Sequence, residues 1–568
     1  MPIIVERQLP ELSPFPDMHP VLSRVYQSRG ISDTRDLELA LVELLPYHSM
    51  KDIDRAVDVL IPVVREGKRL LVVGDFDADG ATSTALALRA LTMMGATSLD
   101  YLVPNRFDFG YGLSPELVEV AKERRPDLIM TVDNGIASVS GVAAAKNAGI
   151  PVLVTDHHLP GDQLPDALAI VNPNQSGCDF PSKAACGCTV VFYLMLALRA
   201  RLNDEGWFAQ SGVPNLAVLL DLVALATVAD VVPLDRNNRI LVEQGMRRIR
   251  AGKCQPGILA LLRAAKRDYR TLVATDLGFS VGPRINAAGR LDDMSLGIEC
   301  LLTEDPGTAE TIAAELDAFN RDRRQIEQAM QGEALSLLEQ TDTEVSSEFG
   351  VSLYHPEWHQ GVIGILASRI KERLHRPVIA FAPADNGEIK GSARSISGLH
   401  IRDALDRVDR AAPGLITKFG GHAMAAGLTL ISDGFERFRV LFDSVCREML
   451  DDDVLQQKLE TDGALTTADF NLALAEALRL GGPWGQAFPE PKFSGYFRLF
   501  QQRVVGGNHL KLILQPEGSD QVLDAIWFGI DTAVWPDHSR ERVHCVYQLD
   551  INEFRGERNL QLRIEHME

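Results

Sequence analysis

Between residues 50 and 232 short apolar runs alternate with helical patterns, and this alternation constrains the fold more than any other feature of the chain. RLLVVG, SLDYLV, DLIMTV, PVLVT and ALAIV are separated by stretches such as ATSTALALRALTMMG and SVSGVAAAKNAG. Parallel strands need a crossover connection between them, and a helix provides one, so the pattern predicts an α/β domain built on a doubly wound parallel sheet. Ligands of such sheets bind in the crevice beyond the carboxyl ends of the strands. This chain places its acids there. Asp75, Asp77 and Asp79 follow RLLVVG, Asp133 follows LIMTV, Asp156-His157-His158 follows PVLVT, and Asp230 ends LVALATVAD.

Read as a strand, the spacing of Asp75, Asp77 and Asp79 puts neighbouring carboxylates about 6.6 Å apart, where ionised pairs repel by about 2–3 kcal/mol at an effective dielectric near 20. A cation is the natural compensation. DFDADG fits the opening of a calcium loop, but the twelfth position is Leu86 in place of Glu, and a β-branched strand precedes Asp75 where a helix is required. No G-x-G-x-x-G opens the first helix, which argues against a dinucleotide. Singly, an Asp after a strand is more often a helix N-cap, and paired histidines are more often surface residues. Four coincidences in one register point instead to a site. Mixed carboxylate and imidazole ligands suit Mn2+ or Mg2+, and two such ions relieve the repulsion and clamp an in-line phosphoryl displacement.

The remaining features bound the reading. A chain of 568 residues is long enough for three or four units. Its net charge of −21 disfavours indiscriminate polyanion binding, so a nucleic-acid substrate needs metals and a local basic channel. The seven cysteines include Cys186 and Cys188 but no zinc-type C-x-x-C pair, as expected of reduced thiols in the cytosol. MPIIVERQLPEL has no secretory pattern, and LAVLLDLVALATVADVV carries Asp221 and Asp230, so it reads as a buried helix rather than a membrane span. A cytoplasmic protein without membrane attachment is expected.

The expected layout is an N-terminal extension (1–49), the first α/β domain (50–305) and one long connecting helix (306–345) with Ile312, Leu316, Phe319, Ile326 and Met330 on a stripe. A second, smaller α/β domain (346–452) follows, and then short β-like runs (456–568) that predict a β-barrel.

These residues resemble the DHH phosphoesterase superfamily, named for an Asp-His-His run like that at 156–158. GDFDADGATSTA, PNRFDFGYGLS, TVDNGIAS, VTDHHLPGDQLPDALAIVNPNQ and ATVADVVPL stand in family order. GPRINAAGRLDD, GVIGILASRIKERLHRP, GSARSISG and KFGGHAMAAG resemble the RecJ branch with its DHHA1-type second domain, and the likeness extends to a C-terminal OB-fold. The resemblance implies a metal-dependent 5′→3′ exonuclease that degrades single-stranded DNA to mononucleotides in repair and recombination. It implies single-strand-binding protein and other repair proteins as partners.

Carried over by motif, Asp77 holds one ion, Asp79, His157 and Asp230 hold the other, Asp133 bridges them, and Asp75 is a ligand or a neighbouring acid. The pattern departs at Val73, where many family members have a ligand histidine. His158 is expected to contact the scissile phosphate or assist proton transfer. Ser392 and Arg394 of GSARS suit a terminal phosphate. Arg106, Arg284 and Asn286 are expected phosphate or DNA contacts, His422 sits in a turn that backbone and nucleic acid can share, and Tyr111 is placed to stack on a base. In the barrel, Phe497, Phe500, Trp527 and Phe528 among Arg498, Arg503 and Lys511 are candidate single-strand contacts or core residues. The rival readings are a phosphodiesterase of short oligoribonucleotides or cyclic dinucleotides, and a non-catalytic single-stranded-DNA-binding scaffold.

Overall fold

The computed structural model describes residues 2–10, 15–105, 109, 111–340, 348–384, 387–532, 534–554 and 556–568. Arg106 lies outside the described residues. Contacts group the chain into two compact units, one formed by 4–285, 297–313 and 458–568, the other by 1–3, 286–296 and 314–457.

All five apolar runs of the first domain form strands. In chain order they are β1 (Leu70–Val73), α1 (Ala78–Met93), β2 (Leu99–Leu102), α2 (Pro115–Glu123), β3 (Leu128–Val132), α3 (Val139–Asn147), β4 (Val152–Thr155) and β5 (Ala169–Val171). The strands pair in parallel in the order β2-β1-β3-β4-β5. One face carries Leu71, Val73, Ile129, Val152 and Val154 against Leu117, Val118 and Ala121 of α2 and Val142 and Ala145 of α3. On the sheet's other face α1 packs on β1 and β3, and α4 (Gly187–Asp204) packs on β3 and β4. From β1 the chain first steps outward to β2 and then returns to the other side as β3. The topological switch point therefore lies between β1 and β3, the place where such sheets open a crevice.

Two expectations about the acids are corrected here. The strand ends at Val73, so Asp75, Asp77 and Asp79 do not alternate along it; Asp77 is the N-cap of α1, accepting from Gly80 N at 3.0 Å, and Asp79 lies in the helix's first turn. Gly80 permits this tight passage, because a methyl there would come within 2.4 Å of the Asp75 carbonyl oxygen. Asp230 does not follow a strand, so its strand-end placement is corrected while the buried-helix reading of its segment holds. LVALATVA is helical, and Asp230 is the C-cap of α5 (Leu220–Ala229), followed by α6 (Arg236–Arg250) and α7 (Gly282–Leu291).

The predicted connecting helix is α8 (Pro306–Gln340), whose later turns bury Met330, Ala334 and Leu338 in the second unit. There β6 (Val351–Tyr354), α9 (Ile363–Leu374), β7 (Val378–Pro383), β8 (Glu388–Arg394), β9 (Ile416–Gly421) and β10 (Ala425–Ile431) form a mixed sheet in the order β9-β10-β8-β7-β6. The C-terminal strands β11 (Phe493–Val505), β12 (His509–Pro516), β13 (Leu523–Trp527), β14 (Arg542–Phe554) and β15 (Glu557–Met567) close a barrel in the order β11-β12-β13-β15-β14. Phe497 is a core residue of that barrel, with its ring against Phe470 and Tyr547, so its strand-contact reading is set aside. Phe500 and Phe528 are exposed, and Arg498 lies over the Phe500 ring at 5.0 Å.

The N-terminal extension is a strap between the first domain and the barrel. Tyr26 stacks on Trp484 at 5.8 Å, and Leu45 N donates to Asn237 Oδ1 on α6. Arg29 reaches buried Asp462 through two hydrogen bonds of 2.7 and 3.0 Å.

Candidate metal centre

The switch point gathers the predicted ligands. Asp75, Asp77 and Asp133 form one group and Asp79, His157 and Asp230 another, with the ligand atoms of each group within 4.8 Å of one another. Asp133 also groups with His157 and His158, so it stands between the two sets. His157 Nε2 lies 3.1 Å from Asp133 Oδ1, 3.5 Å from Asp230 Oδ2 and 3.9 Å from Asp79 Oδ2.

Each acid arrives by a different local device. Asp133 follows β3 with φ +61, a left-handed conformation that Asp tolerates better than most residues. Asn134 fastens the turn by donating to both Val73 O and Val132 O, the last carbonyls of β1 and β3. Asp79 projects from the first turn of α1 onto the start of α4, where Gly187 N and Cys188 N donate to its two oxygens at 2.6 and 2.9 Å. Unpaired N–H groups at a helix start suit a carboxylate. Asp230 is the reverse case, an acid at the negative end of α5.

The electrostatics are those of a crowded acidic cluster, in which four or more carboxylates share two imidazoles. Burial first, and then the neighbouring Asp77, push the Asp79 carboxyl up to about 6. Burial and the charges of Asp79 and Asp77 push Asp133 and Asp230 well above the usual carboxylate range. Asp133 Oδ1 is buried and takes part in no hydrogen bond among the described residues. Two unit charges at about 4.8 Å repel by about 3 kcal/mol at an effective dielectric of 20, so several such pairs in one pocket ask for a divalent cation. The donor set agrees, since oxygen with imidazole nitrogen and no thiolate is the chemistry of Mn2+ and Mg2+. The residues present therefore fit a two-ion site.

Val73 offers nothing to that site, because its side chain is in the hydrophobic core with Leu71 and Ile129. The group of Asp75, Asp77 and Asp133 is accordingly all carboxylate, whereas the second group contains an imidazole.

The structure gives roles to residues to which the sequence reading assigned none. Asp156, first of the Asp-His-His run, belongs to neither metal group; it is buried and accepts from Ile136 N, His157 N, His158 N and His158 Nδ1, the last at 2.8 Å. Burial opposes its charge, but those donors hold Asp156 below its ordinary range, and Asp156 in turn lifts His158 to about 9 against the pull of burial. Asn172 and Asn174 donate to the carbonyls of His158 and His157 at 2.9 and 2.6 Å. Their only signal was the polar run VNPNQ after β5.

The other expected contacts are distributed as follows. Tyr111 is half-exposed, with its hydroxyl donating to Asp133 O at 3.1 Å and its ring against His158. Arg284 is largely buried on α7 and donates to Ser280 O at 2.5 Å; Asn286 lies on the same helix. In the second unit Arg394 Nη1 donates to Ser392 Oγ at 3.1 Å. A methyl at Gly364, in the first turn of α9, would lie 2.8 Å from Arg394 Nη2 and 3.0 Å from Ser392 Oγ, so these groups share one cradle with a helix N-terminus. His422 is exposed in the turn between β9 and β10.

Comparison with known proteins decides the family. A model described as the DHH family, N-terminal domain, matches residues 69–227, the DHHA1 domain matches 347–448, and the RecJ OB domain matches 461–566. The single-stranded-DNA-specific exonuclease RecJ of Escherichia coli strain K12 is 56% identical over 565 residues, covering 99% of this chain and 98% of that protein. The chain belongs to the RecJ family. Crystal structures of RecJ from Thermus thermophilus in complex with Mn2+ and with Mg2+ match it with TM-scores of 0.80 and 0.75 at 30% and 28% identity. Both cover 97% of this chain, and the match spans 76% and 75% of those chains. The RecJ frame thus agrees with the α/β, DHHA1 and OB architecture read from the sequence.

Proposed function

We propose that this chain is a metal-dependent exonuclease that hydrolyses single-stranded DNA from its 5′ end to mononucleotides. The observation that carries the proposal is the pair of ligand groups meeting at buried Asp133, with carboxylates crowded among two imidazoles, in a chain so similar to single-stranded-DNA-specific exonucleases. Asp79, His157 and Asp230 would hold one ion and Asp75 and Asp77 the other, with Asp133 shared. Divalent ions bound there, Mn2+ or Mg2+, supply Lewis acidity that acidifies water and offsets charge building on the phosphoryl oxygens.

The chain's own groups do the rest. Asp156 fixes the ring of His158 through Nδ1, which leaves the imidazole oriented to donate to a phosphate oxygen or to move a proton during hydrolysis. The Tyr111 hydroxyl lies 3.0 Å from the same Nδ1, and its half-exposed ring is available to a base. Ser392, Arg394 and the start of α9 form an anion cradle of the kind a terminal 5′ phosphate requires. Arg106, Arg284, Asn286 and His422 are assigned to the remaining backbone contacts, and exposed Phe500 and Phe528 with Arg498 to more distant nucleotides.

The role in repair and recombination, single-strand-binding protein as a partner and a cytoplasmic setting follow from the same reading. No described helix is long and apolar enough to cross a membrane. The test is hydrolysis of single strands labelled at either end, with Mn2+ or Mg2+ and Asp79→Ala as control. Early release of the 5′ label as mononucleotide, lost in the variant, is expected. Release from the 3′ end overturns the polarity, and activity confined to dinucleotides overturns the substrate.

A further inference from the structure

We propose that Gly187, which is no ligand, sets the distance between the ligands of the two metal sites, so that the first residue of α4 is a positioning residue of the centre. This rests on the metal-centre reading above.

The geometry is specific. Gly187 N donates to Asp79 Oδ2 at 2.6 Å, and Cys188 N donates to Asp79 Oδ1 at 2.9 Å, so the start of α4 grips both oxygens of one ligand. The Cys186 side chain makes no capping bond to its own helix. The carboxylate of α1 therefore takes the place of the missing cap. The other side of Gly187 meets the shared ligand. A methyl on Gly187 would lie 2.5 Å from Asp133 Oδ1, 2.6 Å from its Cβ and 2.8 Å from its Cγ, closer than real methyl contacts allow. Asp133 cannot retreat easily, because it is buried and its backbone is held in the left-handed region by the Asn134 bonds to Val73 O and Val132 O.

One residue thus fixes Asp79 by an amide and Asp133 by the absence of a side chain. The helix start supplies partial positive charge at the same spot, which favours ionised ligands. The sequence ACGCTV gives a weak signal for this, a glycine opening a helix that otherwise has no cap. Glycine is required here for close approach and not for φ, since Gly187 is absent from the positive-φ residues.

The experiment counts Mn2+ bound to the full-length protein by electron paramagnetic resonance and calorimetry, and reads thermal unfolding without metal, for wild type, Gly187→Ala, Asp133→Gly and the double variant. Gly187→Ala is expected to lose at least about tenfold in Mn2+ affinity although every ligand is present. Its unfolding temperature should fall in the wild-type background and not in the Asp133→Gly background, where Cβ, Cγ and Oδ1 are all removed and the methyl has room. If Gly187→Ala does not fold, recovery of folding in the double variant supports the proposal and continued failure overturns it. Wild-type Mn2+ affinity in Gly187→Ala, or thermal losses that simply add, overturns it too. A wild-type protein that binds no Mn2+ fails the metal-centre reading itself, a result distinct from these.

Discussion

Two buried acidic places in the same unit behave in opposite ways. Asp462 has a side chain with no exposure, yet its carboxylate receives Arg29 at 2.7 Å, Ser28 Oγ at 3.0 Å and Lys492 N at 3.0 Å. Burial alone would raise its pKa, but Arg29, Lys492 N and Arg7 together hold the carboxyl below its ordinary range. Asp79, Asp133 and Asp230 are the same residue type, and each is raised. Burial is common to both places. The difference is that one acid has an arginine built into the chain against it, and the others have one another and the imidazoles of His157 and His158. A fold that keeps the second arrangement is holding charge in reserve for something it binds.

The comparison is most strongly tested by removing one charge from each place. Asp462→Asn leaves Arg29 buried without its counter-charge and is expected to cost about 3–5 kcal/mol, read by denaturant unfolding. The sign with pH follows from the depressed folded pKa. The pair's contribution is full above the unfolded carboxyl value near 3.9 and is lost as pH falls through the folded value, so wild type and Asp462→Asn should converge in acid. An unchanged stability in Asp462→Asn at neutral pH would break the contrast.

Asp230→Asn should do the opposite to the fold. It relieves like-charge repulsion and an unfavourable helix end, so the metal-free protein is expected to unfold at a higher temperature. Cleavage of single-stranded DNA should fall by more than about 100-fold, beyond the loss usual for residues that only support a ligand. The smallest effect is that of the ions themselves. Mn2+ at ten times its dissociation constant should stabilise wild type by about 1.4 kcal/mol, an increment much reduced in Asp133→Asn and intact in Asp462→Asn, measured by thermal shift. Equal Mn2+ increments in all three proteins would remove the distinction between the two places.

Much of this was legible in the sequence. Alternating apolar runs and helical stretches predicted all five parallel strands, because strand and helix periods are local and the crossover rule leaves little freedom. The acids at the ends of β1, β3 and β4 converge for the same reason, since adjacent parallel strands end on one side of the sheet. The barrel and the long helix were likewise patterned locally.

Tertiary packing decided the rest. Asp77 proved to be a helix N-cap as well as a candidate ligand, and Asp230 came from a helix end, because a five-residue pattern cannot say where a strand stops. Asp156 stands at the head of its motif yet serves to hold His158, a role defined by donors from Ile136 and from its own loop. Phe497 points inward and Phe500 outward because residues three apart on a strand lie on opposite faces, but which face becomes the interior was decided by closure of the barrel around Phe497, Phe470 and Tyr547. Asp462 meets Arg29 across 433 residues, and Gly187 meets Asp79 across 108. The sequence determined which residues carry charge and which segments are strands or helices, because those are properties of neighbours along the chain. Whether a buried charge is answered by the protein or left for a metal was decided only where distant segments meet.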